Sequence, residues 1–202
     1  MYEVFPMDSR LNPMQLQWLQ FYLHGGEDNR GRTLAHIRSQ RFSWLEGTHD
    51  YVQWLFPLPE ASGANQQSPL LTPALARRFM AHPNAESELL TSLDCIAHFW
   101  GIVRRQLHFS PNELAGEQEP LWCCPASHNQ LRISRVLGCL SCLGQVPIAY
   151  ELFNYLVNRL RQHGLDPAQL EAVPYWKGAS TREPLLPDCA PSIEEIELSL
   201  PR

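Results

Sequence analysis

Lysine is nearly missing from this chain. Of the 16 basic residues among 202, 15 are arginine and Lys177 stands alone. Bases are also outnumbered, 16 against 21 acids, for a net charge of −5. A chain of that sign lacks the basic footprint that nucleic acid recruits. No apolar run approaches the ~18 residues of a membrane-spanning helix. The N-terminus, Met-Tyr-Glu-Val-Phe-Pro-Met-Asp, carries an acid where a secretory signal wants bases, and no apolar segment follows it. Neither end shows a lipidation motif. The expectation is a cytoplasmic protein without a transmembrane segment. Strand alternation, an internal repeat, a Walker loop and a nucleophile elbow are all missing too.

Cysteine is sparse for a disulfide scaffold, with six residues at 95, 123, 124, 139, 142 and 189, and a cytoplasmic chain would keep them reduced. Cys139 and Cys142 form a C-x-x-C, but the upstream pair Cys123-Cys124 is adjacent rather than spaced, so the two pairs do not make a tetrahedral zinc site. The C-x-x-C also falls late in its helix, away from the helix start that lowers a thiol pKa. These cysteines read as small buried side chains. No metal and no cofactor is expected.

What the chain has is 44% apolar residues and only 18% charged ones, enough to fold and to bury a core without staples. Pro and Gly divide it into helices. Asn12-Pro13 opens one that runs to about Leu23. Thr33 caps one to about Trp44, and Thr48 caps a short one from His49 to Phe56 that Pro57 ends. Thr72-Pro73 starts another, and a long helix follows from about Ala85 to Leu107 on the stripe Leu89, Leu93, Ile96, Trp100, Val103 and Leu107. After an irregular connection over 108–127, Ser127 caps a helix from His128 to Leu143. Pro147 opens one to His163, and a short helix covers Pro167 to Val173. From Pro174 the chain is proline-rich, and from Glu183 it has five acids against Arg202, which reads as a flexible or surface-wrapped tail in which Ile193, Ile196, Leu198 and Leu200 let part of it dock. The expected fold is all-α: one domain of six or seven helices over residues 1–173, with a tail over 174–202.

Two stretches carry more than fold. In His49–Pro57 apolar side chains cover most of the helix circumference, leaving His49, Asp50 and Gln53 in one sector; that polar edge must be paired internally or line a cavity. In Ser127–Gly138 and on to Leu143, Ile133, Val136, Leu137, Leu140 and Leu143 make an apolar arc, while His128, Arg132, Arg135, Cys139 and Cys142 make a second stripe beside it. Arg132 and Arg135 are therefore expected to be half-buried and to need anionic partners. Glu27, Asp28, Glu46 or Asp50 would supply them internally. An external anion would supply them at a site, helped by His128 and Asn129 at the positive end of the helix. Most of the arginine excess has a simpler source in the codons of a G+C-rich genome; these two are placed by a pattern.

The two motifs, His49-Asp50-Tyr51-Val52-Gln53-Trp54-Leu55-Phe56-Pro57 and His128-Asn129-Gln130-Leu131-Arg132-Ile133-Ser134-Arg135-Val136-Leu137, resemble the conserved domain of the opioid growth factor receptor family. Phe21-Tyr22 with Gly25, Gly31-Arg32-Thr33-Leu34 and Phe99-Trp100-Gly101 support the likeness, which spans roughly residues 12–160 in the same order. The resemblance implies an all-helical domain with a receptor-type function. The family's animal namesake binds the pentapeptide Met-enkephalin, is associated with the nucleus and is unrelated to seven-helix opioid receptors. Animal members carry long regions beyond the domain, so this chain looks like a stand-alone bacterial member. The resemblance assigns no catalytic or ligand-contact residues.

Three functions follow as expectations. The first is a non-enzymatic binding module for an anionic small molecule or peptide, with Arg132, Arg135, His128 and Asn129 holding the anion, His49 and Gln53 orienting it, and Tyr51 or Trp54 as apolar walls. The second is a structural or interaction domain in which the Arg-His motif is an internal ion-pair network. The third is an enzyme using His49 and His128 as acid and base, to be favoured if both face one open pocket.

Overall fold

The computed structural model describes residues 11–63 and 65–186. Helices α1 (Pro13–Leu23), α2 (Leu34–Arg38), α3 (Phe42–Gly47), α4 (Val52–Leu55), α5 (Pro73–Met80) and α6 (Ala85–Phe99) lead into a hairpin of β1 (Ile102–Arg105) and β2 (His108–Pro111). Then come α7 (Ala115–Gln118), a 3-10 turn at Glu119–Leu121, α8 (His128–Cys142), α9 (Val146–Gln162), a second 3-10 turn at Pro167–Gln169 and α10 (Ala172–Ser180). Among the described residues no helix is long and apolar enough to cross a membrane. Apart from α7 and the second 3-10 turn, these elements share one hydrophobic cluster. α8 lies between α9 and α10 and is buried almost throughout its second half, Cys139 and Cys142 included. Burial pushes the Cys139 thiol well above its usual range and raises that of Cys142, so both are inert apolar side chains, as their helical position suggests.

The helix starts follow their local signals. Asn12 accepts from Gln15 N while the Gln15 side chain accepts from Asn12 N, a closed capping box, with Pro13 in the first turn. Thr33, Thr72 and Ser127 cap α2, α5 and α8 as expected. Several spans differ from expectation, among them the short helix over Pro167–Val173, which is a 3-10 turn at Pro167–Gln169 followed by the start of α10. The helix expected from Thr33 to Trp44 breaks at residues 39–41, where Ser39 Oγ and Gln40 Nε2 both donate back to His36 O and terminate α2. The helix expected from His49 to Phe56 shortens to the single turn α4, and Thr48 becomes the residue closing α3 rather than a cap opening α4.

The long helix expected to reach Leu107 stops at Phe99. Gly101 takes φ +82° and passes so close to Ala115 that a Cβ would stand 2.8 Å from its Cα, which only glycine allows. The β-branched Ile102 and Val103 then continue as a strand, turning at Gln106-Leu107 to pair Arg105 with His108.

The tail expected from Pro174 begins instead as α10. Its Trp176 is fully buried and donates to Gln130 O at 2.9 Å. Pro174 occupies the first turn of α10, where no intrahelical partner is lost. The docking expected of Ile193, Ile196, Leu198 and Leu200 lies outside the described residues.

Glu119 ties the far side of α9 to the core. Only 1% exposed, its carboxylate accepts from Arg159 Nε at 2.7 Å and Nη2 at 2.6 Å and stands 2.8 Å from His163 Nε2. Burial pushes this carboxyl up, but the hydrogen bonds from Arg159 and His163 outweigh it and hold it below the usual range. A depressed carboxylate contributes stability that is full above its unfolded pKa of ~4.3 and fades as pH falls through the lower folded value. Glu119→Gln is therefore expected to lose about 2 kcal/mol at pH 7 and progressively less below pH ~4. Urea midpoints of both proteins at pH 7 and in acid check this; a gap that does not narrow in acid contradicts it.

Candidate binding pocket

Two short helices, the partly exposed α3 and the buried α4, end with carbonyls that no further turn can satisfy. The expected Arg stripe serves those ends. Arg132, 7% exposed, donates from Nη1 to Leu45 O (3.0 Å) and Asn129 Oδ1 (3.1 Å), and from Nη2 to Glu46 O (3.1 Å) and Thr48 O (2.9 Å). Nη2 also lies 2.8 Å from His49 Nδ1. A guanidinium has no acceptor, so Nδ1 accepts and the His49 proton sits on Nε2. Cation and helix C-terminus also attract through the helix dipole. Of the carboxylates expected as partners, Glu46 reaches Arg132 at 3.7 Å, while Asp28 and Asp50 are taken by Arg32 and Arg30. The main partners of Arg132 are thus backbone carbonyls, which the expected choice between carboxylate and ligand left out.

At α4, Trp18 Nε1 donates to Trp54 O (2.8 Å), Tyr22 hydroxyl to Leu55 O (3.0 Å) and Arg135 Nη1 to Phe56 O (3.2 Å). Arg135 differs from Arg132 in what is left over. It is half-buried and, among the described residues, has that one hydrogen bond and no ion pair. Burial lowers its pKa, opposed by the nearby charge of Glu60.

A cavity of about 790 Å³ opens between residues 49–62, α8 and α10, within the size range of small-molecule sites. His49, Gln53, His128, Arg132 and Arg135 line it. The other three expected site residues do not. Tyr51 and Trp54 are fully buried beneath it, with Tyr51 hydroxyl bound to Leu45 O. Asn129 is fully buried, donating to Glu46 Oε2 at 2.9 Å. Gln53, with its amide nitrogen turned toward the backbone, donates to His49 O and Asp50 O. His49 and His128 face the same cavity with ring centroids 5.2 Å apart, and Glu46 Oε1 stands 3.1 Å behind His128 Nε2.

The third wall escaped sequence reasoning. Pro174, Tyr175, Gly178, Ala179 and Arg182 come from α10 and its exit, and Leu58, Glu60 and Ser62 from the strap after α4. The spacing of Val173, Trp176 and Ser180 was the available sign of a helix there, outweighed by the prolines. Gly138 permits the close approach of this wall: a Cβ there would meet Leu58 Cδ2 at 3.1 Å and Ala179 Cβ at 3.8 Å. At the rim stand Leu131, 76% exposed, and Tyr175, 72% exposed.

Residues 17–183 match the family described as the opioid growth factor receptor (OGFr) conserved region. The opioid growth factor receptor of Mus musculus is 29% identical over 138 residues, covering 67% of this chain and 22% of the mouse protein. That of Homo sapiens is 31% identical over 142 residues, 63% of this chain and 20% of the human protein. The opioid growth factor receptor-like protein 1 of Xenopus tropicalis is 33% identical over 101 residues, 50% of this chain and 20% of that protein. The chain thus spans about a fifth of the length of the curated relatives it matches. No solved structure matches it significantly. The matched region takes in the strap, α8 and α10, all three walls of the cavity, and on that match the chain belongs to the opioid growth factor receptor conserved-region family.

Proposed function

We propose that this domain is a cytoplasmic binding module whose pocket between α8, α10 and residues 49–62 takes an anionic small molecule or peptide carrying an apolar body. The observation that carries this reading is Arg135: a half-buried guanidinium on the pocket wall with one carbonyl partner and no carboxylate partner among the described residues. A desolvated cation of this kind gains most from a charged partner. The relatives named opioid growth factor receptors supply the receptor-type reading. Arg132 lines the pocket as well, but its terminal N–H groups are already engaged by backbone carbonyls and Asn129, which leaves Arg135 as the freer cation.

The test is thermal shift and calorimetry with a panel of carboxylates, phosphorylated metabolites and free-carboxylate peptides on the wild type and Arg135→Gln. At least one class should stabilise the wild type, and Arg135→Gln should bind it about 10- to 100-fold more weakly, with stability changed by less than about 1 kcal/mol. A panel without effect, or equal response of the variant, overturns the reading. A second reading, a His-dependent enzyme, is favoured by the shared exposure of His49 and His128 to this pocket with Glu46 behind His128; turnover of a bound panel member that is lost in His128→Gln would replace the first reading with this one.

A further inference from the structure

The outer edge of the pocket is closed by an ion pair between two walls. Arg182, two residues past α10, grips Glu60 of the strap with both terminal nitrogens: Nη1 donates to Oε2 at 3.1 Å and Nη2 to Oε1. Nη1 also touches Cys142 Sγ at 3.8 Å. Arg135 lines the same cavity without pairing to Glu60. The hydrogen bonds from Arg182 hold the Glu60 carboxyl below its usual range, and the charge of Arg135 acts in the same direction. An internal carboxylate thus stands in the field of two guanidiniums that share one pocket, the arrangement an anionic ligand would itself adopt.

We propose that Glu60 is a displaceable occupant of the pocket's anion position, and that the ligand is a phosphomonoester that swings Glu60 outward and is held between Arg135 and Arg182. This rests on the pocket reading above and extends it to ligand class and regulation. With Glu60 out, two guanidinium charges face the cavity, and a phosphomonoester of about −1.5 to −2 at pH 7 matches them where a single carboxylate does not. The displacement is cheap, because Glu60 is more than half exposed and such pairs contribute little. The body of the ligand has apolar walls to meet: Leu58 and Ala179 cover Gly138, Gly178 leaves open space on the α10 side, and Leu131 and Tyr175 stand exposed at the rim. A flat aromatic or apolar group fits between them.

The experiment is calorimetry on the full chain with phenyl phosphate and, as the monoanionic comparison, benzoate. Wild type should bind phenyl phosphate more tightly than benzoate. Glu60→Gln should tighten phenyl phosphate binding about two- to fivefold, the cost of releasing an exposed pair. Arg182→Gln should weaken it, and the double variant should lose the gain of Glu60→Gln, because the exchange works through Arg182. Equal or weaker binding by Glu60→Gln overturns the exchange, and if Arg135→Gln still abolishes binding the pocket reading stands without it. A gain that persists undiminished in the Arg182→Gln background also overturns it, by reducing Glu60 to a distant repulsive charge. Benzoate binding as tight as phenyl phosphate overturns the ligand class. Absence of phenyl phosphate binding to both wild type and Glu60→Gln overturns the proposal, while the wider ligand panel still decides the pocket.

Discussion

Ending the chain after Val173 should abolish cooperative folding. That cut removes α10, which composition alone would assign to a dispensable tail. With it go Trp176, fully buried against Trp122 at 6.5 Å between ring centroids, and the Trp176 Nε1 donor to Gln130 O. Leu185 N, which satisfies Cys142 O at the end of α8 at 3.0 Å, is lost as well. Removing one buried Trp side chain costs about 3–5 kcal/mol. Adding the exposed flank of α8 brings the loss into the range of a domain's whole net stability of about 5–15 kcal/mol. Circular dichroism with a denaturant titration checks this. The truncated chain should show no sharp transition; a melting temperature within a few degrees of the full chain would show that α10 is dispensable.

Arg132→Met should cost roughly 3–5 kcal/mol. At 2–4 °C per kcal/mol for a domain of this size, that lowers the melting temperature by about 6–20 °C. The reason is the asymmetry between making and breaking a buried bond. Methionine fills similar space but leaves Glu46 O and Thr48 O without the donor they have now, and removes one of the two donors to Leu45 O. It also frees His49 Nδ1, so the imidazole loses the bond that sets its tautomer. Arg132→Lys should recover little, since one ammonium cannot span three carbonyls spread over the end of α3. Urea denaturation of the three proteins measures the ordering. A cost below about 1 kcal/mol for Arg132→Met would mean that water replaces the guanidinium and that α3 needs no such cap. The contrast with Arg135 is the informative part: neighbours on one stripe of one helix, one expected to fail in stability and the other in binding.

How far these roles were legible differs by residue. The caps at Asn12, Thr33, Thr72 and Ser127 could be read because a cap is a contact within three residues. The burial of Cys139 and Cys142 could be read from helical spacing. The half-burial expected of Arg132 and Arg135 from their place beside the apolar arc holds for Arg135, whereas Arg132 is buried; five of the eight expected site residues do meet at one cavity. Tyr51 and Trp54 were misplaced because a motif shows which residues are near in sequence, not which side of a single-turn helix meets the core, and Asn129 because its partners Glu46 and Arg132 bury it at the start of α8. The break at residues 39–41 and the hairpin after Phe99 were hidden for another reason. A helical period continues through both, and it is Ser39, Gln40 and the tight passage of Gly101 by Ala115 that stop it.

Alone, the residue pattern determined the helical class, most helix starts, the family likeness and the stripe on which Arg132 and Arg135 stand. These depend on local hydrogen bonds and on periodicity within one element. The division of labour between the two arginines was decided only by tertiary structure, because their partners lie at Leu45, Thr48 and Phe56, 79 to 87 positions away. The third wall of the pocket was decided there too: α10 becomes a helix that counts only when Trp176 finds its hole beside α8, and Gly138 makes room for Leu58 of the strap.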